Sequence, residues 1–203
     1  MTILNLIQTA MKLTKEYWEN RYQNNDFGWD TGSITPPLKD YFDQLTNKSI
    51  KIVIPGAGNS YEFEYLIANG FENVFVLDFA KNPLENIKKR LGTIDENKLI
   101  ESDFFEHNDQ YDLIVEQTFF CALEPNLREK YVQKTASLLK PNGKIIGLLF
   151  QFPLTKIGPP FGGSKEEYSS LFKNDFTINI LETAYNSIKP RKENELFFIF
   201  TKK

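Results

Sequence analysis

The 203-residue chain carries one cysteine, Cys121, and one histidine, His107. A lone cysteine closes no internal disulfide and builds no cysteine-based zinc site, and a lone histidine excludes a multi-histidine metal centre. No metal is therefore expected. Long apolar runs are missing too, since no window approaches the roughly 18 residues of a membrane span. The opening MTILNLIQTAMK lacks the basic segment of a secretory signal. Basic residues are not in excess: a net charge of −3 argues against non-specific nucleic-acid binding through clustered Lys and Arg. Repeats and low-complexity tracts are also lacking. These gaps predict a soluble cytoplasmic protein with no membrane or nucleic-acid partner; a monomer or weak dimer is expected, though no sequence feature fixes the oligomeric state.

What the chain does have is aromatic bulk. Apolar residues make up a modest 41%, but 18 Phe and 9 Tyr supply a large apolar surface, enough for the core of one domain spanning residues 1–203. TKEYWENRYQN (residues 14–24) reads as a helix with Thr14 as N-cap, and Trp18 and Tyr22, four apart, share a face. The loop FGWDTGSITPP leads to an amphipathic helix from about Leu38 to Leu45. Beyond it strands and helices alternate. Strands are expected at Ile50–Ile54, Asn73–Phe79, Lys98–Glu101, Tyr111–Gln117 and Lys144–Phe150. Between them helices are expected at Tyr61–Ala68, from an Asn82 N-cap to Leu91, and at Asn126–Leu139, the last broken by Lys140-Pro141-Asn142-Gly143. A capping box at Ser164–Glu167 opens a helix to about Phe172, and strands Phe176–Ala184 and Leu196–Thr201 follow with little between them. The pattern predicts an α/β doubly wound sheet ending in an antiparallel hairpin.

In such sheets ligands bind beyond the carboxyl ends of the strands, where strand order reverses. IVIPGAGNSYE, Ile52–Glu62, runs the first strand into a Gly56-Ala57-Gly58 turn, where small residues let backbone amides approach a ligand. Taken alone, the turn suits a nucleoside triphosphate, a dinucleotide or S-adenosylmethionine. The triphosphate reading lacks its Gly-Lys-Ser/Thr, and Tyr61 stands where a dinucleotide turn places its third glycine. Asp78, 22 residues past Gly56 and ending VFVLD, can accept from two ribose hydroxyls. Asp103 and Phe104, after the third strand, can hold an adenine by its exocyclic amine and its face.

YWENRYQNNDFGWDTGSITPPL, VIPGAGNSYE, VLDFA, SDFF, DLIVEQTFFCALEPNLREKY, LLKPNGKIIGLLF and GPPFGGSKEEY together resemble the thiopurine S-methyltransferase family, nearest its halide/thiol methyltransferase branch. The resemblance runs from about Met11 to the end. It implies a seven-stranded Rossmann-like class I methyltransferase sheet with an antiparallel last strand and helices on both faces. It also implies S-adenosylmethionine as donor, S-adenosylhomocysteine as product, and a small-molecule thiol, thiopurine or halide acceptor.

By the same resemblance Trp18, Tyr22 and Trp29 match the aromatic trio enclosing the cofactor, with Tyr22 in place of a more usual Trp. Gly56 matches the glycine at the methionine moiety, with Gly58 in the same turn. Glu62 replaces an aspartate near the methionine amine. Asp78, with Phe79 beside it, matches the ribose site, and Asp103 with Phe104 the adenine pair. Gln117, grouped with the cofactor contacts, stands where the branch usually carries a tyrosine. On the acceptor side, Phe161 of the Gly158–Gly163 loop is a candidate wall and Tyr168 a candidate neighbour. Arg191 is a candidate for steering an anion, or a solvated loop charge, and Asp30 orients the acceptor or anchors its own loop. His107 reads as a solvated surface residue and Cys121 as a small buried hydrophobe.

The implied organisation is a leader at 1–13, an aromatic lid region at 14–48 and a catalytic sheet at 49–203. Residues 1–10 precede the resemblance, and Met11 can itself serve as a start, so the leader is expected to have no catalytic role. Two other readings stand beside methyl transfer: a nicotinamide-dependent oxidoreductase and a non-catalytic S-adenosylmethionine-binding protein.

Overall fold

The computed structural model describes residues 13–203, so the expectations for the leader and for Met11 lie outside the described residues. Seven strands form one sheet in the order β3-β2-β1-β4-β5-β7-β6. They are β1 (Ile52–Pro55), β2 (Val74–Asp78), β3 (Leu99–Glu101), β4 (Tyr111–Gln117), β5 (Leu139–Phe150), β6 (Phe176–Thr183) and β7 (Glu195–Lys202). The first five run parallel, whereas β7 lies antiparallel between β5 and β6. Strand order reverses at β1, which lies between β2 and β4.

The helices are α1 (Lys15–Gln23), α2 (Pro36–Asp43), α3 (Tyr61–Ala68), α4 (Lys81–Leu91), α5 (Arg128–Leu138) and α6 (Lys165–Phe172). Side chains alternate across the sheet, so consecutive apolar residues of one strand serve two layers. Val53, Ile114 and Ile145 join Tyr131 of α5 and Phe172 of α6 on one face. Ile52, Ile54, Leu113 and Ile146 join Phe42, Phe63 and Ile87 of α2, α3 and α4 on the other.

Several local expectations need correction. Asn82 is not the cap of α4, which begins two residues earlier than expected, at Lys81 with Ala80 at the N-cap. The first-turn amides turn instead to Glu19 of α1, whose carboxylate accepts from Lys81 N at 2.5 Å and Asn82 N at 3.3 Å. A carboxylate there supplies acceptors and complements the positive end of the helix. α5 starts at Arg128, after a 3-10 turn over Pro125–Leu127. The Lys140–Gly143 break survives as an irregularity inside β5: pairing jumps from Tyr111↔Leu139 to Leu113↔Lys144, and Asn142 takes a φ of 61°. The caps at Thr14 and Ser164 form, accepting from Tyr17 N and Glu167 N, but the Ser164–Glu167 box is only half made, because the Glu167 carboxylate pairs with Arg128.

Candidate active site

The carboxyl ends of β1 to β5 open into a cavity of about 570 Å³. Gly56 and Gly58 adopt left-handed φ values of 69° and 53°. A Cβ on Gly56 would lie 2.5 Å from Phe119 Cδ2, so the glycine is needed both for its dihedral and for the ring packed on it. Phe119 is itself fixed from below. Glu116, 1% exposed, receives the amides of Phe119 and Phe120 on Oε1 (both 2.8 Å) and the Tyr131 hydroxyl on Oε2 (2.6 Å). Burial pushes the Glu116 carboxyl up to about 7.

Asp78 ends β2 and braces the glycine turn. Its Oδ2 accepts from Ala57 N and its Oδ1 from Ala80 N, both at 2.8 Å. Each oxygen retains a lone pair for a further donor. Burial raises Asp78 to about 7 against the opposing effect of those amides. Glu62, in the first turn of α3, is 5% exposed, and its Oε1 has no hydrogen-bond partner. Burial pushes it also to about 7. Past β3, Asp103 Oδ1 accepts from Phe105 N at 2.7 Å, and the buried Phe104 ring lies 5.3 Å from both Phe119 and Tyr131.

The N-terminal aromatics form one cluster. Trp29 meets Trp18 at 5.5 Å and Tyr22 at 5.6 Å, both edge to face, with the Arg21 guanidinium 4.9 Å from its ring centre. Burial raises the Tyr22 hydroxyl far above its ordinary range. The loop carrying Trp29 is tied down twice. Arg191 Nη2 donates to Trp29 O at 2.6 Å while its Nη1 pairs with the buried Glu195 at 3.2 Å. Asp30 accepts from Gly32 N at 2.9 Å, Asn59 Nδ2 at 2.5 Å and Tyr61 OH at 3.3 Å.

All the cofactor-side residues expected from the sequence line this cavity: Trp18, Tyr22 and Trp29; Gly56, Gly58 and Glu62; Asp78 and Phe79; Asp103, Phe104 and Gln117. Arg191 lines it as well, held in an ion pair and so not a solvated loop charge. Three acceptor-side expectations fall away from the lining. Asp30 spends both oxygens anchoring its loop to the glycine turn. Phe161 is 8% exposed and turns inward, and Pro159 and Pro160 supply the wall instead. Tyr168 is 1% exposed, its ring 5.7 Å from Phe120 and its hydroxyl donating to Phe150 O at 2.7 Å, so it is a core residue.

His107 is half-buried against Tyr111, 2.8 Å from its hydroxyl, rather than freely solvated. Burial lowers its pKa. Cys121 is buried as expected but also touches the cavity, and burial raises its thiol well beyond the usual range. Two functional positions escaped the sequence reading. Phe119 opens the FFCALEP segment, where nothing in the residue type separates it from a core phenylalanine. The one signal for Glu116 is a charge directly after the apolar run Leu113-Ile114-Val115 of β4.

A family model for thiopurine S-methyltransferase matches residues 13–202. The chain belongs to the thiopurine S-methyltransferase family. It is an S-adenosylmethionine-dependent methyltransferase. Among its relatives is the Arabidopsis thaliana protein described as probable thiol methyltransferase 2, 31% identical over 159 residues, covering 76% of this chain and 70% of that protein. Thiopurine S-methyltransferase of Vibrio cholerae is 27% identical over 175 residues, covering 77% of this chain and 80% of the relative. The 1,6-didemethyltoxoflavin-N1-methyltransferase of Burkholderia thailandensis, solved with S-adenosylhomocysteine, superposes with a TM-score of 0.75 at 15% identity. That match covers 94% of this chain and 88% of the solved one and shows the shared class I methyltransferase fold. The family's cofactor also fits the cavity chemically: Glu62 Oε1 is a buried acceptor lacking a donor, as an ammonium group requires.

Proposed function

We propose that this methyltransferase acts on a small thiol or similarly soft anion, taken up as the anion. The observation that carries the reading is that no lining base is left for the acceptor, because the two carboxylates raised towards neutral, Glu62 and Asp78, are both assigned to the cofactor. Among the described lining residues there is no histidine, the Cys121 thiol and the Tyr22 and Tyr61 hydroxyls are all raised, and the remaining acids are carboxylates. A nucleophile that is already ionised near neutral pH needs no proton removed. Its lone pair forms the new bond to carbon as the bonding pair of the cleaved C–S bond returns to the donor sulfur, and no oxidant or proton is required. When bound, S-adenosylmethionine supplies the methyl group on a sulfonium.

In this reading Glu62 receives the methionine ammonium beside Gly56 and Gly58. Asp78 receives the ribose hydroxyls next to Phe79, and Asp103 with Phe104 receives the adenine. Trp18, Tyr22 and Trp29 cover the cationic end, each cation–π contact contributing about 0.5–2 kcal/mol. Positioning of nucleophile against methyl group under that cover is worth roughly 7–11 kcal/mol of the barrier. The described residues carry no helix long and apolar enough to cross a membrane. The proposed enzyme is single-domain and cytoplasmic, working as a monomer or weak dimer.

The test is an initial-rate assay with S-adenosylmethionine against hydrogen sulfide, small and aromatic thiols, iodide and thiopurines. Turnover of at least one thiol or iodide is expected. Tight S-adenosylhomocysteine binding with no turnover of any acceptor would replace this reading with that of a binding protein.

A further inference from the structure

The sheet order β3-β2-β1-β4-β5 turns the proposed cofactor site into a sequence along the cavity. Adenine, ribose and methionine are assigned to the ends of β3, β2 and β1. The next strand end is that of β4, and its last residue is Gln117, which lines the cavity.

The Gln117 side chain is held in one orientation. Thr35 Oγ1 donates to Gln117 Oε1 at 2.8 Å across 82 positions of sequence. Thr35 occupies the N-cap of α2, where a hydroxyl ordinarily accepts a first-turn amide. The helix begins with Pro36 and Pro37, neither of which carries an amide hydrogen, and Thr35 makes no side-chain cap bond. Because Thr35 is 1% exposed, its hydroxyl proton has to find an acceptor inside the protein, and Gln117 Oε1 is that acceptor. An amide with its oxygen committed presents two N–H donors at Nε2, and among the described residues these have no acceptor.

We propose that Gln117 is the specificity-determining residue for the methyl acceptor: Thr35 fixes its carboxamide so that Nε2 donates to an anionic soft nucleophile. The inference rests on the methyl-transfer reading above and moves Gln117 from the cofactor to the acceptor. A donor favours an anion over a neutral nucleophile. That anion gives up its charge as the new bond forms, so the hydrogen bond is strongest before reaction. Its loss therefore raises KM without lowering kcat. Thr35 is a positioning residue acting through Gln117.

The experiment measures initial rates with hydrosulfide and with iodide, and S-adenosylhomocysteine affinity by calorimetry, in four proteins: wild type, Gln117→Met, Gln117→Glu and Thr35→Val. Gln117→Met raises both KM values about tenfold, the loss of one hydrogen bond to a charged group, with kcat unchanged or higher. Gln117→Glu, nearly identical in shape, puts a negative charge against the anion and raises KM further. Thr35→Val frees the amide to turn and gives a smaller rise. S-Adenosylhomocysteine affinity stays within about twofold in all three, which also reports that each variant is folded. Unchanged KM in Gln117→Glu, or cofactor affinity shifting as far as KM, overturns the assignment. If wild-type enzyme turns over neither acceptor, the functional reading fails first and this inference with it.

Discussion

On the proposed assignment Glu62 should make the binding of S-adenosylhomocysteine pH-dependent, with a sign and size that follow from its surroundings. Its carboxyl is 5% exposed, Oε1 lacks a partner, and burial raises it to about 7. In the free protein it is therefore largely protonated at pH 6 and largely ionised at pH 8. Pairing with the ligand's ammonium requires the ionised form. One pH unit below the pKa, deprotonation costs about 1.4 kcal/mol, or roughly tenfold in affinity. The folded pKa lies above the ordinary glutamate value, so this group's contribution to the free protein's stability is full in acid and is lost as pH rises towards about 7. Bound ammonium offsets that loss.

The assay is calorimetric titration at pH 6 and pH 8 in two buffers differing in ionisation heat. Glu62 should release close to one proton per ligand at pH 6 and few at pH 8, in addition to the share released by Asp78. Methylthioadenosine, which lacks the amino-acid portion, should lose the Glu62 part of this dependence and keep only that of Asp78. Glu62→Gln should weaken S-adenosylhomocysteine at pH 8 by about 1.5–3 kcal/mol, as for a hydrogen bond between charged groups, and flatten the pH profile. Equal wild-type affinity at pH 6 and pH 8, or a variant that keeps the wild-type slope, refutes the reasoning.

Gly56→Ala combines a left-handed dihedral, costing about 1–2 kcal/mol, with a Cβ placed 2.5 Å from Phe119 Cδ2. The ring has to move, and S-adenosylhomocysteine titration should show more than tenfold weaker binding. Tyr168→Phe removes the hydroxyl bond to Phe150 O and should lower unfolding free energy in urea by about 0.5–1.5 kcal/mol. Because Tyr168 lies off the cavity, kcat/KM should stay within about twofold, whereas a larger fall would return it to the acceptor site.

Much of the frame was legible because core strands of a parallel sheet are buried on both faces and read as unbroken apolar runs: IVI in β1, VFVL in β2, LIV in β4. The cofactor side was legible for a related reason. Gly56, Asp78 and Asp103 sit at strand ends, and the sequential adjacency of β1, β2 and β3 keeps them together in space. What spacing could not give was pairing between distant segments. Glu19 caps a helix 62 residues downstream, Thr35 reaches Gln117 across 82, and Arg191 reaches the Trp29 carbonyl across 162. Phe161 and Tyr168 were misplaced because a loop and a short helix beside the cavity carry aromatics for the core as readily as for a pocket. Only packing against Phe120 and the Phe150 carbonyl settles the direction of Tyr168.

The acidic residues near the glycine turn show why residue type alone cannot assign roles. Asp30, Glu62, Asp78 and Glu116 all surround that turn, yet their oxygens are committed to different degrees. Asp30 is consumed by Gly32, Asn59 and Tyr61, and its work is to hold the Trp29 loop against the start of α3. Glu116 is consumed by two amides and a phenol, and its work is to fix the Phe119 ring that makes Gly56 obligatory. Asp78 has one backbone donor on each oxygen and room for one more on each, which suits a pair of hydroxyls. Glu62 Oε1 has nothing. An unpartnered carboxylate oxygen in so buried a place is costly unless a donor arrives with a ligand. The number of open acceptor positions is thus lowest at Asp30 and Glu116, which lie off the cavity lining, and highest at Glu62, which lies on it. That contrast identifies the end of the site where a cation must bind.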